Sequence, residues 1–149
     1  MTSQKCLTDF KINSCFEKFE RKELKDLKKR ELKQEENVIW KEILSELAER
    51  DKTCRLWSIL DSQQQVYIID NYYNDFKKKG SILTPAHIIS RGKDPSKTYD
   101  KENIVMISLY FHDLLDTYQH PVTRTIINQE ERELWLRSAY KGELLWIHI

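Results

Sequence analysis

The stretch "TPAHIISRGKDPSKTYDKENIVMISLYFHDLLD", residues 84–116, carries the strongest indications of fold in this chain. "SILTPAHIIS" is rich in β-branched residues and contains a proline that a helix interior would not tolerate, so it predicts a strand. Gly, Pro, Asp and Ser make "RGKDPSKTYDKEN" a loop, while "IVMIS" predicts a second short strand. "LYFHDLLDTYQ" predicts a helix that ends before Pro121. The predicted order is therefore strand, loop, strand, helix.

Three polar residues accompany this order in a chain that has four histidines. His87 leaves the first strand, Asn103 opens the second strand and His112 lies on the helix. This arrangement resembles the HNH, or ββα-metal, nuclease family, in which a histidine follows the asparagine by nine residues in the pattern N-[LI]-[VL]-x-[LI]-C-x-x-C-H. Residues 103–112 read "NIVMISLYFH". The resemblance implies an α+β fold, mostly helical, with a small ββα-metal motif and an N-terminal helical extension.

The resemblance covers about residues 50–140, although most cysteines of the family's zinc knuckle are absent. "RDKTCRLW" supplies Cys54 but has Trp57 in place of the second cysteine, and Ser108 and Phe111 stand at the other two cysteine positions. The chain thus resembles an HNH protein without a knuckle, with apolar side chains where relatives bind structural zinc. "HDLLDTYQHPVTRTIINQEERELW" is further similar to phage-type members with an H-x-x-L-D segment and an E-E-R-x-x-W helix.

The resemblance also implies a chemistry for these residues. Hydrolysis of a phosphodiester needs an activated water and a divalent cation, here Mg²⁺, Mn²⁺, Ni²⁺ or Zn²⁺. The resemblance implies His87 as the general base, Asn103 as the residue that orients it or approaches the metal, and His112 as a metal ligand. Asp116 becomes the second ligand candidate because residues four apart share one helix face. His120, the next position along that face, is the weaker candidate.

One position departs from the nuclease pattern. Many members carry Asp, Glu or His directly before the general base, whereas this chain has Ala86, which cannot bind a metal. Some phage-type members also read A-H-I. Either His112, Asp116 and substrate or water oxygens hold the cation, or the site has lost its activity, or a further acid completes the ligand set, for which the candidates are Asp70, Asp75 and Asp100.

Positive charge near this stretch is the only sign of a nucleic-acid partner outside the resemblance. The net charge of +1 gives little support to nucleic-acid binding. Arg91, Lys93 and Lys97, with the lysines at 77–79, flank the presumed site and are candidates to neutralise DNA phosphates. Ordinary loop charge explains them equally well.

The remaining sequence predicts helices on both sides of the motif. Residues 1–49 form the predicted helical extension, with helices over 14–33 and 35–51, and residues 50–149 form the HNH-like domain. A helix capped by Asp61 or Ser62 is expected to stop at Gly80, and one that begins at Asn128 to break at Gly142. The apolar stripe over 14–33 is thin, so it packs either against the domain or against its copy in a homodimer.

Several classes are disfavoured by composition. No run approaches the length of a membrane span and the N-terminus lacks a signal peptide, so we expect an intracellular, cytoplasmic protein with no membrane partner. Three cysteines (Cys6, Cys15, Cys54) without a C-x-x-C pair indicate reduced thiols. The four tryptophans lie among apolar neighbours and are expected in the core or in interfaces: Trp40, Trp57, Trp135 and Trp146.

These observations favour a metal-dependent DNA endonuclease of HNH type with His87 as general base. A catalytically silent HNH-like module that binds nucleic acid or a protein is the alternative, and Ala86 and the missing knuckle cysteines favour it. A helical adaptor without a nucleic-acid role would require the spacing of the two histidines and the asparagine to be coincidental.

Overall fold

The computed structural model of the protein describes residues 2–145, with side chains from residue 17 onward. The predictions for Trp146, Cys6 and Cys15 fall on side chains outside this range. Two compact units divide the chain, Met1–Lys41 and Glu42–Ile149. The regular elements are α1 (Thr2–Arg50), α2 (Arg55–Ile59), α3 (Ser62–Lys79), β1 (Leu83–His87), β2 (Ile104–Ser108), α4 (Leu109–Asp116) and α5 (Gln129–Lys141), with short 3₁₀ turns at Pro95–Lys97 and Lys101–Asn103.

This architecture is an α+β fold that is mostly helical and has one small antiparallel sheet, as the sequence predicts. None of the helices in the described part of the chain combines the length and the apolar character that a bilayer crossing requires. The boundary predicted between a helical extension and an HNH-like domain, and the homodimer, stay predictions.

The N-terminal helix is longer than the sequence predicts. The two helices expected over 14–33 and 35–51 are one continuous helix, α1, that extends from Thr2 to Arg50. No Gly or Pro occurs before Gly80, and Lys, Glu, Leu and Gln, which favour helices, dominate the segment. Nothing in the segment therefore terminates the helix at residue 34.

The helices around the motif begin and end at the residues that the sequence indicates. The Asp61 side chain caps α3 by accepting from the Gln64 backbone N–H, and the Gln64 side chain completes the capping box. Gly80 caps the other end of α3. Asn128 caps α5 through Glu131, and α5 ends at Gly142, whose φ of 81° is a left-handed conformation that suits glycine.

The two strands form a hairpin with a long connection. β1 and β2 pair antiparallel, with Leu83 opposite Ser108 and His87 opposite Ile104. β2 is buried along its whole length, and α4 follows it directly because the Ser108 hydroxyl accepts from the Phe111 N–H at the start of the helix. α4 ends at Asp116, earlier than predicted, because Tyr118 adopts a positive φ of 55° that no helix continues.

A charged pair closes the edge of β2 that β1 leaves open. Asp51, only 3% exposed, accepts from the Met106 backbone N–H at 3.1 Å. Arg50 binds the Asp51 carboxylate and donates to the Ile104 carbonyl at 2.7 Å. Because residues 104 and 106 direct their backbone groups to the same edge, the pair does there what a third strand would do. The pair thus fixes the strand that leads into α4.

Candidate functional site

His87 is the last residue of β1 and is partly buried. Its Nε2 lies 2.8 Å from the Thr98 carbonyl oxygen. A carbonyl only accepts hydrogen bonds, so Nε2 carries the hydrogen and, in the neutral ring, Nδ1 carries the lone pair. Burial lowers the pKa of His87, the bond to Thr98 opposes this, and the charges of Arg91, His112 and Arg132 lower the pKa further. The imidazole is therefore a neutral base at neutral pH.

Asn103 holds the loop that follows His87. Its side chain is 5% exposed; Oδ1 accepts from the Ile89 N–H at 2.8 Å, and Nδ2 donates to the carbonyls of Ile89 at 3.0 Å and Lys97 at 3.2 Å. Lys97 directly precedes Thr98, whose carbonyl binds His87. Both ends of the Asn103 amide therefore bind the backbone of the loop, and its proposed role towards His87 stays a prediction.

His112 and Asp116 form a pair on the exposed side of α4. His112 Nε2 lies 3.2 Å from Asp116 Oδ2, as their spacing of four residues predicts. His112 Nδ1 lies 2.9 Å from the Thr84 hydroxyl on β1. The Asp116 side chain is 51% exposed and that of His112 is 25% exposed. One imidazole and one carboxylate therefore meet at the surface, beside the strand that carries His87.

Arg132 of α5 completes this group of side chains and is absent from the sequence-based prediction. It is 9% exposed, and its Nη2 lies 3.2 Å from Asp116 Oδ1. Its Nη1 lies 3.4 Å from the carbonyl oxygens of both His87 and Ile88. The available signal was its spacing of three residues from Trp135, which places both on the buried face of α5.

Two of the three acids predicted as replacement ligands have other partners. Asp75 pairs with Arg124 at 3.0 Å, and Asp100 caps a 3₁₀ turn by accepting from the Glu102 N–H. Asp70 is an exposed residue of α3. In the described part of the chain, no three or more His, Cys, Asp or Glu side chains come together as a metal-binding group.

His120 lies in a turn and not on the helix face that the sequence suggested. α4 ends at Asp116, and His120 Nδ1 accepts from the backbone N–H groups of Val122 at 3.1 Å and Thr123 at 3.2 Å. Its ring packs edge-on against Trp135, and burial lowers its pKa, which Glu131 partly opposes. The lone pair that could bind a metal is thus occupied by the turn.

Ala86 packs in the core at 1% exposure, next to its strand partner Val105. The loop cations have different surroundings. The charge of Arg91 lowers the pKa of His87, and Lys93 pairs with Glu133 at 2.9 Å. Lys97 lines a cavity of about 280 Å³ together with Asn103 and Arg137.

The four positions that the resemblance aligns with zinc-knuckle cysteines (54, 57, 108 and 111) come together in this structure. Cys54 Sγ accepts from the backbone N–H groups of Trp57 at 3.4 Å and Ser108 at 3.2 Å. The rings of Trp57 and Phe111 lie with centroids 6.4 Å apart, and Phe76 stacks on Trp57 at 4.8 Å. All five side chains line one cavity of about 360 Å³. An aromatic cluster therefore occupies the place where the resemblance to HNH proteins would put zinc ligands.

No protein-family model, no curated protein and no solved structure matches this chain.

Proposed function

We propose that this protein is a metal-dependent DNA endonuclease of the HNH type. The observation that carries the proposal is the meeting of β1 and α4: a neutral imidazole, His87, ends the strand, and the pair of His112 and Asp116 projects from the helix that packs beside it. The convergence of the four knuckle positions supports the same alignment of the chain with that family.

The donor pair fits a divalent cation. Two ligand atoms about 2.1 Å from one cation are roughly 3.0 Å apart in octahedral geometry and about 3.4 Å apart in tetrahedral geometry. His112 Nε2 and Asp116 Oδ2 are separated by 3.2 Å, between these values. The residues that would hold the cation are therefore His112 and Asp116.

Thr84 contacts the other ring nitrogen of His112. The Thr84 hydroxyl oxygen lies 2.9 Å from His112 Nδ1 and 3.3 Å from the Ile107 carbonyl oxygen. When the hydroxyl donates to the carbonyl, it accepts from His112 Nδ1–H, and Nε2 then directs a lone pair towards Asp116, as metal binding requires. Orientation of a metal-binding histidine through its other ring nitrogen is typical of metal sites.

His87 supplies the base. Its Nδ1 takes a proton from the attacking water, and the Thr98 carbonyl stabilises the imidazolium that forms by accepting from Nε2–H. Asn103 keeps the loop with that carbonyl in place. When bound, the divalent cation stabilises charge on the phosphate and on the leaving oxygen. Arg91, Lys93 and Lys97 lie in the loop that follows β1 and are the proposed contacts to DNA phosphates.

A catalytically silent module that binds nucleic acid or a protein is the second candidate. Ala86 favours it, because the position that carries a metal ligand in many relatives is a core residue here. In that case His112 and Asp116 pair with each other without a cation, and the protein binds DNA without cleaving it.

Supercoiled plasmid separates these candidates. The protein is incubated with plasmid and Mg²⁺, Mn²⁺, Ni²⁺ or Zn²⁺, and nicked and linear products are quantified on gels. We expect cleavage with at least one cation and a loss of about 10²–10⁴-fold in His87→Ala. The rate should rise with pH and reach half its maximum below the ordinary histidine pKa of about 6.5, because burial lowers the pKa of His87.

His120→Asn is the matched control. His120 is another partly buried histidine, and the asparagine oxygen can replace the acceptor that Nδ1 provides to the turn. We expect wild-type cleavage from this variant. Absence of cleavage with all four cations would refute the nuclease, and a gel shift would then identify a DNA-binding module. Equal rates for wild type and His87→Ala would refute the role of His87.

A further inference from the structure

We infer that Arg132 is the positioning residue of the proposed site, an inference that rests on the proposed function. Its guanidinium fixes the Asp116 carboxylate on α4 and, at the same time, the backbone at the end of β1 that carries His87. One side chain thus sets the distance between the base and the cation-binding pair.

The geometry uses what distinguishes arginine from lysine. Nη2 donates to Asp116 Oδ1 while Nη1 points to the carbonyl oxygens of His87 and Ile88. A planar guanidinium presents several donors at fixed angles, so it can bind a carboxylate and a strand end simultaneously. An ammonium group could reach only one of these partners well.

The two carboxylate oxygens of Asp116 have different partners. Oδ1 faces Arg132 and Oδ2 faces His112. Because Arg132 binds one oxygen, the other is directed towards the imidazole nitrogen. Without this partner, only the contact with His112 would orient the Asp116 carboxylate, since the side chain is 51% exposed. Partners that orient a metal ligand change metal affinity by about 10–100-fold in other proteins.

Arg132 lies where packing holds its side chain in place. It lies in the first half of α5, near the Asn128 cap, and its side chain is 11% exposed. Trp135 and Leu136 next to it are buried, so the helix face that carries Arg132 is packed against the core. A buried guanidinium without its carboxylate would be costly, which further holds Asp116 in this orientation.

The test uses the full chain with Arg132→Met and Arg132→Lys. Arg137→Met is the matched control, because Arg137 lies on the same helix, is 50% exposed and has only a 3.9 Å contact with Glu133. The first readout is the imidazole ¹H–¹⁵N spectrum of the metal-free protein. We expect the His112 and His87 signals to shift in Arg132→Met, with the His120 signal unchanged, and all three signals to stay in place in Arg137→Met.

The second readout is Co²⁺ affinity, measured by titration calorimetry with the metal alone. We expect Arg132→Met to bind Co²⁺ about 10–100-fold more weakly than wild type and Arg132→Lys to lie between them. Unchanged His87 and His112 signals, or unchanged Co²⁺ affinity, in a folded Arg132→Met protein would overturn the inference. If Arg132→Met does not fold, the same criteria apply to Arg132→Lys.

Failure of the proposed function has a different signature. A wild-type protein that neither binds Co²⁺ nor cleaves DNA refutes the nuclease. For such a protein the Co²⁺ criterion does not apply, and the His112 and His87 signals alone decide whether Arg132 positions both imidazoles. The two conclusions are therefore tested by separate measurements.

Discussion

Replacement of Asn103 by alanine should destabilise the fold strongly, although it removes only one polar side chain. The substitution removes three hydrogen bonds, one accepted from the Ile89 N–H and two donated to the carbonyls of Ile89 and Lys97. A typical bond contributes about 1 kcal/mol net, and a donor left without a partner costs about 1–3 kcal/mol when it is buried. Ile89 is only partly buried, so water recovers part of this loss. We expect the free energy of unfolding to fall by about 2–4 kcal/mol.

Urea denaturation followed by tryptophan fluorescence measures this change. With a slope of about 2 kcal/mol per molar urea, the midpoint should move down by roughly 1–2 M while the slope stays constant. Asn71→Ala is the control: Asn71 is an exposed residue of α3, and its amide makes one hydrogen bond, to the Tyr67 carbonyl at 2.9 Å. Its midpoint should stay close to that of wild type.

Asn103→Asp tests whether the side chain at position 103 has to donate hydrogen bonds to the two loop carbonyls. The aspartate keeps an acceptor for the Ile89 N–H but turns a negative oxygen towards two carbonyls. We expect it to be at least as unstable as Asn103→Ala at neutral pH and to recover part of the loss in acid, where the carboxyl is protonated. The reasoning is refuted if Asn103→Ala shifts the midpoint no more than Asn71→Ala does.

Three further outcomes are expected. Asp51→Ala should lower the free energy of unfolding by about 2–4 kcal/mol, because the buried Met106 N–H loses its acceptor and Arg50 loses its carboxylate partner. Glu49→Ala, at an exposed neighbouring position, should change it little in the same urea assay. Burial lowers the pKa of His120 below its unfolded value, so stability should fall as pH drops through about 6.5 and below, and His120→Asn should flatten that part of a pH–stability curve. EDTA should move the melting temperature by less than about 2 °C, since an aromatic cluster holds the knuckle region; a large drop would indicate a structural metal.

Local sequence signals were sufficient to predict the order of strand, loop, strand and helix. Pro85 and the β-branched residues around it define β1, Gly and Pro punctuate the loop, and Asp61 and Gly80 mark the ends of α3. These signals act over a few residues, where propensity and capping dominate the free energy. The spacing of His112 and Asp116 on one face follows from the helix period alone.

Long-range contacts were beyond local reasoning. The Asp51 carboxylate binds a strand N–H 55 positions along the chain, and Arg132 reaches Asp116 across 16 positions. A charged residue on a helix is usually solvated, so neither its pattern nor its type shows that it will be buried against a backbone edge. The length of α1 differs from the prediction for another reason. The apolar pattern changes near residue 34, which suggests two helices, yet no residue there opposes a helix.

Ala86 determines how the proposed site would hold its cation. Ala86 and Thr84 are two residues apart on β1 and therefore face the same side of the sheet, where Thr84 contacts His112. The side chain at position 86 thus lies on the same face as Thr84, yet it is an alanine packed in the core. Among the described residues the proposed ligands are His112 and Asp116, so water and DNA phosphate oxygens would supply the remaining ligands, as is common for Mg²⁺. It follows that cation and DNA should raise each other's affinity, because linkage between two bound ligands is reciprocal.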